Sequence, residues 1–151
     1  MQIRLANHHD ADSISALILN VKHFFTVNKN GEGAEEFLKS ITPASVAGFI
    51  VADNFNYFVA TIDDELAGVV AIRDNKHLFH LFVAPKFQRR KIAEQLWHFA
   101  KNNAIELGNK NEFTVNSTLY AVPVYERFGF KIDGPRVEMH GIAFVPMKLV
   151  G

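Results

Sequence analysis

The segment from His77 to Trp97, HLFHLFVAPKFQRRKIAEQLW, constrains this chain most: an apolar strand runs into Pro85, a basic loop and then an amphipathic helix. The first N–H groups of such a helix have no intrahelical partners, and the positive end of its dipole favours an anion. Gln88, Arg89, Arg90 and Lys91 add side-chain donors and positive charge at that end. The order strand, basic loop, helix therefore points to a phosphate-bearing cofactor held at a helix N-terminus. Read on its own, Gln88 to Lys91 is equally a solvated charge cluster that opens a surface helix.

Composition limits the alternatives. At 151 residues the chain fits one domain, 1–151, long enough to bury a real core. With 48% hydrophobic residues, 21% charged residues and 14 Phe, it resembles a folded globular protein rather than a disordered one. Lysine plus arginine and aspartate plus glutamate number 16 each, so no global field draws the protein to nucleic acid or to an anionic membrane. Cysteine is absent, which excludes disulfides, thiolate metal sites and a cysteine nucleophile carrying an acyl group. The first residues, MQIRLANHHDADS, have neither a basic nor an apolar leader region, and no apolar run reaches the ~20 residues of a membrane helix. A cytoplasmic protein is expected, with no nucleic-acid or membrane partner.

Along the chain, Gln2 to Leu5 reads as a first strand, and Asp10 or Asp12 can cap a helix with Ile14, Leu17, Ile18 and Val21 on one face. A turn-rich stretch between Phe24 and Gly33 is expected as a mobile lip; AEEFLKSI then gives a short helix ended by Thr42 and Pro43. NYFVATID and ELAGVVAIRDN read as a hairpin around Asp63 and Asp64, with Gly68 as a bulge, and KHLFHLFVAP extends the meander. The next helix places Ile92, Leu96, Phe99 and Ala100 on one face, with Gly108 near its end. EFTVNS is a strand, LYAVPVYERFGF a short helix closed by Gly129, and KIDG with GIAFVPMKLV a final hairpin. Strands grouped with few helices predict an α+β fold, a mixed sheet with helices on its faces.

Two blocks of this chain resemble the GNAT N-acetyltransferase superfamily. Gln88, Ile92 and Ala93 match its acyl-CoA signature, [Gln/Arg]-x-x-Gly-x-[Gly/Ala] after a strand, with Lys91 standing where the family has glycine. VNSTLYAVPVYERFGF, with Asn116, Ala121, Tyr125, Gly129 and Phe130, resembles the family's later motif. The resemblance covers essentially the whole chain. It implies a mostly antiparallel sheet with helices on both faces, in which two neighbouring parallel strands splay apart to hold the pantetheine arm of acetyl-CoA. It also implies an N-acetyltransferase in which a primary amine attacks acetyl-CoA directly, without a covalent enzyme intermediate.

Under that resemblance Tyr125 is the general acid that protonates the departing thiolate, and Asn116 contacts the cofactor. An isolated tyrosine is more often a core residue with a satisfied hydroxyl, and Asn116, like Ser117, could simply cap a helix. Leu81, Phe82 and Val83 would offer backbone groups to the pantetheine and an N–H to the developing oxyanion. Arg89, Arg90 and Lys91 would hold the pyrophosphate. Lys91 begins a good helical pattern, so its backbone is expected to be helical, where a lysine replaces glycine at little cost; a positive φ there would distort the loop. Tyr120, five residues before Tyr125, would point elsewhere on an ideal helix.

His80 is the candidate general base, because its reference pKa of about 6.5 suits proton transfer near neutrality; a packed histidine with one satisfied nitrogen is the plainer explanation. His77 and His80, three apart on a strand, should face opposite ways and form no metal pair, and no metal is implied. Phe24, Phe25 and Asn28 with Glu35 and Glu36 could line a pocket for a small-molecule or peptide amine acceptor, unless the phenylalanines are core and the glutamates only begin a helix. Strands of the final hairpin could pair two copies into a homodimer. A non-catalytic CoA-binding sensor or interaction module, suggested by Lys91 and the lack of an obvious base, is the alternative.

Overall fold

Asp63 and Asp64 both adopt positive φ, 51° and 63°, and this two-residue turn reverses β2 (Phe55–Ile62) directly into β3 (Glu65–Arg73). β3 leads to β4 (His77–Val83) through a second tight connection in which Asp74 and Asn75 also have positive φ. The computed structural model describes residues 1–28 and 31–151. Lys29 and Asn30, within the stretch expected as a lip, lie outside the described residues.

Around this meander the chain adds β1 (Gln2–Leu5), α1 (Ala11–Asn20), α2 (Glu35–Lys39) and α3 (Pro43–Val51) before it, and α4 (Ile92–Glu106), β5 (Glu112–Ser117), α5 (Val122–Arg127), β6 (Lys131–Ile132), β7 (Val137–Met139) and β8 (Ile142–Val150) after it. The strand order is β1-β2-β3-β4-β5-β8-β6, with β7 also pairing β8. Every neighbouring pair is antiparallel except β4 and β5. The fold is thus α+β, a mixed and mostly antiparallel open sheet. No helix of the described residues is long and apolar enough to cross a membrane.

Both faces of the central strands are covered, which is why β2 and β3 read as continuous apolar runs. Tyr57, Val59, Val69 and Ala71 pack with α1 and α3 on one face. Phe58, Ala60, Val70 and Ile72 pack with α4 on the other, together with Phe113 and Val115 of β5.

Several local assignments differ from the sequence expectation for identifiable reasons. Thr42 and Pro43 start a helix as well as end one: the Thr42 hydroxyl accepts from Ser45 N at 3.3 Å and Pro43 takes the first helical position, where its missing N–H costs nothing. Asp10 precedes α1 without capping it, because its carboxylate is held by both guanidinium nitrogens of Arg4 at 2.8 Å. That pairing draws the Asp10 carboxyl below its ordinary range. Phe99 is 41% exposed, and the buried stripe of α4 runs through Ile92, Leu96, Trp97, Ala100 and Ala104 instead. The last hairpin closes through His140 and Gly141 between β7 and β8, while the short β6 lies beside Met147 and Lys148 of β8.

The bulge expected at Gly68 falls one residue earlier, where Ala67 is the extra residue between the pairs Ala60↔Gly68 and Thr61↔Leu66. Gly68 serves close approach: a Cβ there would sit 2.9 Å from Leu96 Cδ1 and 2.9 Å from the Phe82 carbonyl oxygen. It lets α4 press onto β3 and β4 where the candidate site begins. Gly68→Ala should therefore lower stability by about 1–3 kcal/mol, the usual cost of overpacking, seen as a reduced urea midpoint with an unchanged denaturant slope.

Candidate active site

β4 and β5 are paired only through His77↔Thr114 and Leu78↔Val115. The register of β4 on β3 slips at this point, from Ile72↔Leu78 to Ala71↔His80, leaving Phe79 as an extra residue. Such a bulge bends the strand that carries it. β5 meanwhile continues against β8 as far as Ser117↔Val145, so the two parallel strands part. His77 Nδ1 and Thr114 Oγ1, 2.8 Å apart, close the base of the gap.

The opening is a trench made of two adjoining cavities. One, of about 330 Å³, lies between β4, β5 and the start of α5. The other, of about 850 Å³, lies over the N-terminus of α4. Leu81, Val83, Gln88, Ala121, Val124 and Tyr125 line both. Phe82 and Asn116 face the first; Arg89, Lys91, Ile92 and Ala93 face the second.

Tyr125 stands at the junction. Its ring is buried edge-on against Phe128 and Phe130. Its hydroxyl has no hydrogen-bond partner among the described residues, yet it is not one of the sealed orphan side-chain atoms, which are Asn75 Oδ1, Trp97 Nε1 and Asn111 Oδ1. The oxygen therefore opens onto the trench. Burial pushes its pKa up, so the phenol keeps its proton at neutral pH.

The loop before α4 is built by backbone sign. Arg89 has φ 66° and Lys91 φ 59°, with Arg90 between them outside the left-handed region. Alternation of this kind turns successive N–H groups inward into an anion-binding concavity. Lys91 is the N-cap of α4, in the left-handed region with ψ 25°, and makes no side-chain cap. This corrects the helical backbone expected for it. The loop needs the conformation that glycine supplies freely, and lysine adopts it at a cost on the order of 1 kcal/mol, with its side chain exposed. Arg90 turns away: its guanidinium lies 5.5 Å from the centroid of Phe87, and it lines neither cavity. Gln88 Nε2 donates to the Val83 carbonyl at 3.3 Å, tying the loop to the end of β4.

Asn116 is not occupied in capping α5. The turn into that helix is made by Thr118, whose hydroxyl accepts from Ala121 N at 3.2 Å, while Ser117 Oγ donates to the Thr118 carbonyl at 2.7 Å. Tyr120 shares the first cavity with Tyr125 rather than pointing elsewhere. α5 begins only at Val122, so Tyr120 and Tyr125 do not share a helix and no helical angle separates them.

His80 lines neither cavity. Its Nδ1 lies 3.1 Å from the Tyr57 hydroxyl and its ring stacks on Phe79. Burial lowers its pKa to about 3. The Phe79 bulge also overturns the opposite-face expectation: His77 and His80 stand across from Arg73 and Ala71, two apart on β3 and hence on one face. Each imidazole nevertheless has its own partner, Thr114 for His77 and Tyr57 for His80. Glu35 and Glu36 line neither cavity; Glu35 accepts from Gly33 N at 3.2 Å and Glu36 lies 3.3 Å from His140 Nδ1.

A family model described as the acetyltransferase (GNAT) domain matches residues 25–150. The chain belongs to the GNAT acetyltransferase family. Solved GNAT structures share its fold throughout. A PaiA N-acetyltransferase from Thermoplasma acidophilum in complex with coenzyme A is 17% identical, with a TM-score of 0.78 over 99% of each chain. An aminoglycoside 6'-N-acetyltransferase complexed with coenzyme A is 15% identical, with a TM-score of 0.75 over 98% of this chain and 96% of that one. A GNAT-family acetyltransferase from Streptococcus pneumoniae is 20% identical, with a TM-score of 0.72 over 99% of each. No curated protein matches.

The two strand histidines predict acid lability. Burial lowers His77 to about 4, with Arg73 adding to the shift, and His80 to about 3. Unfolded imidazoles titrate near 6.5, so between these values the unfolded chain binds the extra protons. Stability should be complete above about pH 7 and fall as the pH drops from about 6.5 towards 4, by on the order of 1.4 kcal/mol per pH unit for the buried His80 and by less for the half-buried His77, which water partly screens. Urea midpoints between pH 7 and pH 5 measure the slope, and His80→Gln should remove the larger part of it.

Proposed function

We propose that this GNAT domain transfers an acetyl group from acetyl-CoA to a primary amine by direct attack, with Tyr125 as general acid. The observation that carries the reading is the Tyr125 hydroxyl, unpaired among the described residues and placed where the two cavities meet. Acetyl-CoA supplies an acetyl group already activated as a thioester. The concavity of amides from Arg89 to Ala93, with the Arg89 and Lys91 side chains beside it, suits the pyrophosphate. Where β5 has left β4, the edge at Leu81 to Val83 suits the amide groups of the pantetheine. Asn116 lines the same cavity, and its amide suits a further polar contact to that arm.

A phenol with a raised pKa holds its proton until a strong base forms next to it. The departing thiolate is such a base, because the apolar surroundings that penalise phenolate also penalise a thiolate. With no cysteine in the chain, no enzyme thiol carries the acetyl group. His80, fastened to Tyr57 away from the cavities, is a core group in this reading.

Titration with acetyl-CoA by calorimetry, followed by thiol release in the presence of amines, tests the proposal. Tyr125→Phe should lower kcat by about 10²–10⁴, the range for a general acid, while CoA affinity stays unchanged. Arg89→Ala should weaken CoA binding without loss of fold. A Tyr125→Phe protein that turns over at the wild-type rate would remove the acid assignment. Tight CoA binding without thiol release for any amine would instead favour the non-catalytic sensor.

A further inference from the structure

We infer that the acceptor is an arylalkyl primary amine, bound uncharged against Phe24 and Tyr120 at the mouth of the first cavity and Phe25 and Phe82 deeper in it. This rests on the acetyl transfer proposed above and names its acceptor. Phe24 and Tyr120 meet edge-on with centroids 5.6 Å apart, and Phe25 and Phe82 lie at 5.8 Å. All four line the cavity that ends at Tyr125. Phe24 and Tyr120 remain 37% and 72% exposed, so ring faces at the mouth are left for a ligand to cover.

The charge content of the wall decides the class of amine. Among the described residues no Asp, Glu, Lys or Arg lines this cavity. The carboxylates that the sequence suggested for this pocket, Glu35 and Glu36, lie outside its lining, Glu35 against Gly33 N and Glu36 against His140, and Glu32 accepts from the Asn28 amide. An acceptor with several ammonium groups, such as a polyamine or an amino sugar, would be stripped of water here with no counter-charge. A flat apolar amine gains from the rings, and the same apolar lining favours the free base, the form that attacks. The chain then needs no dedicated base, in keeping with a cavity whose polar side chains are limited to Gln88, Asn116, Thr118 and the two tyrosine hydroxyls.

One side of the wall, the backbone at Phe25 and Val27, is held by bonds to the β7–β8 turn. The Phe25 carbonyl accepts from Ala143 N at 3.1 Å, and Val27 N donates to the Gly141 carbonyl at 2.8 Å. Gly141, at φ 76°, lies so close to Gly33 that a Cβ would fall 2.5 Å from its carbonyl. Phe25 and Val27 are thereby fixed to the β7–β8 turn, which lowers the ordering cost of binding on this side of the cavity.

The test presents the purified chain and acetyl-CoA with 2-phenylethylamine and tryptamine on one side and spermidine and glucosamine on the other, reading thiol release and product mass. Arylalkylamines should show kcat/KM about a hundredfold higher, the scale on which an unmatched polar group is rejected. Phe24→Ala with Tyr120→Ala, both at exposed positions, should raise KM for 2-phenylethylamine roughly tenfold or more and leave CoA affinity by calorimetry unchanged. Equal or better use of spermidine or glucosamine, no turnover of arylalkylamines by a protein that binds acetyl-CoA, or a KM unmoved in the double variant would each overturn the inference. Failure to bind acetyl-CoA would overturn the acetyl transfer itself and this inference with it, and calorimetry tells the two failures apart.

Discussion

One extra residue in β4, Phe79, sets where the two parallel strands separate. Up to Leu78 the strand is bonded to β5; from His80 its register on β3 has shifted and β5 no longer accompanies it. A continuous ladder at this place would leave no gap, and the trench, its free strand edge and the position of Tyr125 would all be lost. The bulge is held from both sides. His77 and Thr114 tie the strands just before it, and His80, stacked on Phe79, is anchored to Tyr57. Burying those imidazoles keeps them neutral and makes the region sensitive to acid.

The helix that follows is placed by a second constraint, the missing side chain at Gly68. It brings Leu96 and Ile92 of α4 close over Gly68 of β3, beside the Phe82 carbonyl, which points the helix N-terminus at the end of the trench. The amides there become useful to an anion because Arg89 and Lys91 accept left-handed backbone. The strained loop and the close helix contact therefore serve one site, with local strain offset by packing elsewhere in the core.

The proposed acceptor side follows a different logic. Elements distant in sequence, the segment after α1, the end of β4 and the start of α5, each contribute an aromatic ring. None of these rings stands out locally. Phe24 and Phe25 read equally well as core residues, and Tyr120 looks misdirected if a helix is assumed to run through it. The acidic pocket suggested by Glu35 and Glu36 did not form, since a backbone N–H and His140 take up those carboxylates.

Local chemistry made most of the elements legible in the sequence: the apolar runs of β2 and β3, the Asp63–Asp64 turn, the apolar stripe of α4 and the glycine that closes α5. Two motifs, around Gln88 to Ala93 and Asn116 to Phe130, marked the family and the candidate site. What could not be read locally was α3, where Thr-Pro serves a start as well as a stop, and the parity of β4, which one inserted residue reverses. The sequence alone determined most of the segments that become strands and helices and which residues could bear charge or a proton, because these depend on neighbours a few positions away. Only the tertiary structure decided where β4 and β5 part, which backbone sign Lys91 takes and which rings surround Tyr125, because those depend on contacts between residues far apart in the chain.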